Sequence, residues 1–123
     1  MTGRTASLFD GLSGIESLAD IGGQSGDVVA EAVARWDCAV TLVDLRADGS
    51  FGAGESDWVG PYRKRLASLG LGPERIRVVS RREDLRPVDL VLNLSGFGDA
   101  WRIRHMAPVL ERCFHSDSRM ILD

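Results

Sequence analysis

Seven residues, Asp20-Ile21-Gly22-Gly23-Gln24-Ser25-Gly26, set an acid, a glycine turn and a helix start in succession, and the next apolar run closes on a second acid, Asp44. The apolar stretch from Leu18 to Ile21 runs into glycines and then into Val28, Val29, Ala32, Val33 and Trp36, which recur at helical spacing. Val40-Thr41-Leu42-Val43-Asp44 follows as a second strand. Strand, glycine turn, helix and strand in this order predict a parallel βαβ unit. Glycines allow a sharp turn and let a ligand approach the backbone where a Cβ would clash. The helix start behind them offers unpaired N–H groups to an anionic ligand group. A carboxylate ending the second strand is placed to accept hydrogen bonds from both hydroxyls of a ribose. The two acids together point to a nucleoside cofactor.

The order of these residues resembles the class I S-adenosylmethionine-dependent methyltransferases, and the resemblance covers nearly the whole chain. The family's first motif reads Asp/Glu-x-Gly-x-Gly-x-Gly. Asp20, Gly22 and Gly26 match it, and Gln24 stands where the middle glycine usually is. The resemblance implies that the loop holds the methionyl part of S-adenosylmethionine and that Asp44 holds its ribose. Gly23 and Leu45 fall beside these positions and join the expected cofactor set. The rival dinucleotide fingerprint, Gly-x-Gly-x-x-Gly, cannot be threaded here, because Gly22 is followed two positions on by Gln24 and Gly23 by Ser25. A nicotinamide-dependent oxidoreductase therefore lacks its loop.

The implied fold is a doubly wound, Rossmann-like α/β sheet in the order 3-2-1-4-5, with a cofactor crevice between strands one and four where the order reverses. The family's core continues with strands six and seven, which this sequence does not supply. Residues 1–123 are thus expected to form a single methyltransferase-like domain, incomplete at its C-terminus. Strand five would be an exposed edge. A homodimer or a partner chain is expected to cover it, and a non-catalytic interaction module working through that edge is the alternative function.

A chain of 123 residues has room for one domain of ordinary size. Its 44% hydrophobic and 27% charged content is that of a globular protein, and no apolar run is long enough to cross a membrane. No apolar secretory segment opens the sequence, so a cytoplasmic location is expected. A net charge of −3 argues against nucleic acid as partner. Cys38 and Cys113 are far apart with no Cys-x-x-Cys spacing and read as buried thiols.

Further along, Leu8 to Ile15 reads as a short helix or ordered turn, and Ala47 to Asp57 as a loop. A second helix, capped by Ser56 or Asp57, carries Trp58, Tyr62, Leu66 and Leu69 on one face with Pro61 in its first turn. Gly70-Leu71-Gly72-Pro73 stops it. Ile76 to Val79 is a third strand, Ser80 to Pro87 a charged loop, and Val88 to Leu94 a fourth strand buried on both faces. Ile103, Met106, Leu110, Cys113 and Phe114 mark a third helix with Pro108 inside it, and Met120-Ile121-Leu122 begins a fifth strand.

Methyl transfer needs little from a protein beyond holding acceptor and methyl carbon in line and excluding water, so catalytic residues are not legible here. The family places an acid or amide near the adenine after strand three, which makes Asp84 a candidate for its exocyclic amine. Asn93 leaves the carboxyl end of strand four and joins the expected cofactor set; a small-molecule acceptor should dock at this edge, where Asn93 or Asp99 could orient its heteroatom. Asp99 reads as a helix N-cap, Asp89 as an acid that orients backbone, His105 as helix surface, and His115 as a residue beside a turn. Two histidines and two distant cysteines give no paired ligand spacing, so no metal site is expected.

Overall fold

The computed structural model describes residues 8–21, 26–44, 59–93 and 103–122. Strand β1 (Ser17–Ile21) is followed by α1 (Gly26–Trp36), β2 (Ala39–Val43), α2 (Val59–Ser68), β3 (Ile76–Val79), β4 (Val88–Asn93), α3 (Ile103–Cys113) and β5 (Phe114–Leu122). The strands form one sheet in the order β3-β2-β1-β4-β5, and every neighbouring pair is parallel. This is the expected doubly wound order.

The strand period of two divides each strand's side chains between two cores. Leu18, Val40, Leu42, Leu90 and Leu92 meet Val28, Val29 and Ala32 of α1 and Val59, Tyr62 and Leu66 of α2 on one face. Ala19, Ile21, Val43, Val79 and Val91 meet Val109 and Cys113 of α3 on the other. Near-continuous apolar sequence in β1 and β4 is what burial on both faces requires. The lead-in segment is an ordered turn whose Phe9 is buried in the first core, edge-on to Trp36 at 5.0 Å, with the Arg35 guanidinium 5.4 Å over its ring.

Helix α2 ends where the sequence predicts, and for the predicted reason. The Leu71 N–H donates to the Leu66 carbonyl at 2.9 Å and the Gly70 N–H to that of Ala67 at 3.0 Å. With Gly70 at φ +95°, this is a Schellman closure, which needs a left-handed residue at that point. Pro108 lies within α3.

The fifth strand corrects the sequence reading. It begins at Phe114, directly after the last residue of α3, rather than at Met120. Phe114 belongs to it and not to the helix. Pairing with β4 slips between Val88↔Phe114 and Leu90↔Arg119, so residues 115–118 bow out of the ladder. That stretch reads His-Ser-Asp-Ser and has no apolar alternation, so no strand signal was present. The Ser118 hydroxyl holds the bow by donating to the Val88 carbonyl, and the His115 N–H donates to the Ser118 oxygen at 2.9 Å. The loop expected at residues 47–57, the caps at Ser56 and Asp57, Trp58 and Asp99 lie outside the described residues.

Candidate functional site

The sheet's order reverses at β1, with β2 on one side and β4 on the other, the point at which sheets of this kind bind ligands outside the carboxyl ends of the strands. Asp20 pairs in register with Leu42 and with Leu92, so it sits near the carboxyl end of the central strand. It shares the parity of Leu18 and faces α1 and α2. Asp44 follows β2 directly, and its N–H extends the ladder by donating to the Val79 carbonyl at 2.9 Å. It shares the parity of Val40 and Leu42. Both acids therefore face the same side of neighbouring strands, Asp44 standing one two-residue step, roughly 7 Å, nearer the edge.

Asp20 is fully buried and Asp44 is 9% exposed. They are the only charged residues among the described ones to be so enclosed. A buried carboxylate needs a hydrogen-bond donor, and for Asp20 one comes from across the face: the Tyr62 hydroxyl of α2 donates to Asp20 Oδ2. Sequence patterning had placed Tyr62 on the apolar face of its helix, which is correct for the ring and silent about the hydroxyl. A phenol on a core-facing stripe was nonetheless a signal, because a buried Tyr O–H normally has a partner.

Gly26 opens α1 and is buried against α2. A Cβ there would lie 3.2 Å from Arg65 Cγ, 3.4 Å from Leu69 Cδ1 and 3.7 Å from Leu66 Cδ2. Helix packing by itself thus calls for glycine at this position. Next to it, Asp27 accepts from Arg65 at 3.2 Å. Helix α2 therefore touches the chain on both sides of positions 22–25, at Asp20 and at Gly26 and Asp27.

Of the remaining expected cofactor residues, Gly22, Gly23 and Leu45 lie outside the described residues. Asn93 ends β4 beside β1 and pairs with Leu122, which puts its backbone at the carboxyl edge. Asp84 is exposed in a short 3-10 turn, with its carbonyl accepting from Arg77 at 3.3 Å. Its neighbour Leu85 packs in the core on the α3 face, opposite the face that holds Asp20. The structure places Asp20 and Asp44 on one face of neighbouring strands, the face against which the helix opened by Gly26 packs.

A second polar group lies at the start of β4. Asp89 accepts from the Glu16 N–H at 2.8 Å through Oδ2, and its Oδ1 meets His115 Nε2 at 2.7 Å. His115 Nδ1 accepts from the Asp117 N–H at 3.0 Å, so the ring proton belongs on Nε2 and is donated to Asp89. The Glu16 N–H foremost, then His115, hold the Asp89 carboxyl below its usual range against the opposing effect of partial burial. Asp89 orients backbone, as read from sequence. His115, expected only to sit beside a turn, lies in β5 and attaches that strand to Asp89.

Cys38 and Cys113 are both buried free thiols. Burial raises the Cys38 thiol and pushes Cys113 up to about 11. Among the described residues no cluster of His, Cys, Asp and Glu is arranged to hold a metal ion, and no helix is long and apolar enough to cross a membrane.

No protein-family model matches the sequence, and no curated protein does. Solved structures match the fold. A methyltransferase of Thiobacillus denitrificans, described as S-adenosylmethionine-dependent and crystallised with S-adenosyl-L-homocysteine, superposes with a TM-score of 0.62 at 14% identity over 99% of this chain and 48% of its own. YjhP of Escherichia coli gives 0.62 at 14% identity over 99% and 49%. The C-terminal domain of precorrin-6Y C5,15-methyltransferase from Rhodobacter capsulatus gives 0.59 at 22% identity over 97% and 58%. The chain has the fold of the class I methyltransferases. It spans about half the length of the first two of these proteins.

Proposed function

We propose that this chain binds S-adenosylmethionine at the carboxyl edge of its sheet and serves methyl transfer to a small-molecule acceptor. The observation that carries the reading is the pair of enclosed carboxylates, Asp20 and Asp44, on one face of adjacent strands at the point where the strand order reverses. Their chemistry fits the group. Asp44, nearer the edge, accepts from the ribose hydroxyls, and Asp20, deeper and held by Tyr62, fixes the base of the site. Gly22, Gly23 and Leu45 complete the proposed set around them, with Asn93 at the neighbouring strand end and Asp84 assigned to the adenine. When bound, the cofactor supplies a methyl group activated by a sulfonium. The chain's own part is to orient, enclose and exclude water. The bound product in the Thiobacillus protein supports the choice of cofactor.

Calorimetric titration with S-adenosylhomocysteine tests this. Wild type should bind, and Asp44→Ala should bind at least about tenfold more weakly, the loss of one charge-assisted contact pair. Equal binding by both would remove the ribose contact. No binding by wild type would remove the function.

A further inference from the structure

We infer that Tyr62 is a positioning residue of the cofactor site, its hydroxyl setting the orientation of the Asp20 carboxylate; this rests on the cofactor reading above. The argument begins with cost. A buried phenol and carboxylate packed among Leu18, Leu42, Leu66 and Leu92 add little or no net stability over an apolar pair of the same volume. Their presence at the carboxyl edge points to a role other than stability.

Geometry supplies one. The Tyr62 ring is 7% exposed and packed in the core, so the hydroxyl is held at a fixed point. It donates to Asp20 Oδ2. The helix that carries it also packs against Gly26, where an added Cβ would meet Arg65 and Leu66, and pairs with Asp27 through Arg65. One element therefore grips the chain just before and just after positions 22–25, and Tyr62 is its grip on the strand side. A ligand that contacts the Asp20 carboxylate meets a group whose orientation this hydrogen bond sets. A residue in the core for packing alone would have no such coupling.

Tyr62 is the only tyrosine in the chain, which makes a direct test simple. Protein labelled biosynthetically with 3-fluorotyrosine should show one folded-state fluorine resonance. Titration with S-adenosylhomocysteine should shift it, saturating at the Kd that calorimetry gives for unlabelled protein. Tyr62→Phe, which keeps the ring, should weaken binding about tenfold. In an Asp20→Ala background, with no carboxylate left to orient, the same substitution should weaken it no further. A resonance that stays in place while calorimetry records binding overturns the positioning role and leaves the cofactor site standing. So does full additivity in the cycle. Absence of binding to wild type, labelled or not, overturns the cofactor reading and this inference with it. Should Tyr62→Phe not fold, the fluorine titration decides alone.

Discussion

Gly70 and Cys113 show how much one position can hold. Gly70 closes α2 at φ +95°, a conformation that costs a side-chain-bearing residue about 1–2 kcal/mol. Gly70→Ala should lower the stability by about 1 kcal/mol, seen as a lower denaturant midpoint with an unchanged slope. Gly26 is different, because its constraint is space. Gly26→Val must push aside the Arg65 stem and Leu69, at a cost of about 1–3 kcal/mol. Cys113 has no exposed surface and a thiol raised to about 11. At pH 8 it should react with a disulfide reagent only as fast as the domain opens, and mild denaturant should accelerate it in step with unfolding. Rapid labelling of native protein would contradict the burial. Glycine and cysteine positions were plain in the sequence, but only packing distinguishes a left-handed cap at Gly70 from a close helix contact at Gly26.

At the scale of elements, the ends of the sheet are held by polar side chains rather than by propensity. Asp89 joins β4 to the residue before β1 through the Glu16 N–H and to the bow of β5 through His115. Its carboxyl is depressed in the folded state, so its contribution is fully present above the unfolded value near pH 4 and is lost as pH falls through the lower folded value. Asp89→Asn should cost about 1–2 kcal/mol at neutral pH, and the gap between variant and wild type should close on acidification below about pH 4. Denaturant unfolding across that range measures it; a gap that persists at pH 2 would show that the loss is not electrostatic. Here the sequence was half legible. Asp89 read correctly as a backbone-orienting acid, whereas its partner His115 lies in a stretch with no periodicity and becomes meaningful only when β4 and β5 lie side by side.

Across the whole molecule, protection should follow strand position. β1 is bonded on both sides and buried on both faces, while β3 and β5 are the outer strands of the described sheet. In native hydrogen exchange the amides of Ala19 and Asp20 should be among the slowest, and those of β3 and of the bowed part of β5 much faster. Uniform protection from β3 to β5 would mean that further contacts cover the edges. This ordering also bears on function: Asp20 stands on the central strand and Asp44 at the end of its neighbour, both inside the described sheet rather than on its outer strands, which suits a site that must hold a ligand without reorganising.

The alternation of apolar runs with helical periods marked the strands and helices, because parallel strands need helical crossovers and burial on both faces leaves few other patterns, while the strand order followed from the resemblance to the methyltransferases. Residues 20, 26 and 44 were legible for the same reason: local chemistry marks where strands end and a helix begins. What the sequence could not carry was any relation between distant positions of ordinary composition. That the hydroxyl of Tyr62 meets Asp20, that Gly26 makes room for Arg65, and that His115 ties β5 to Asp89 depend on which side chains the crossovers bring within a few ångströms. No local propensity encodes such distances; they follow from the packed sheet and its helices.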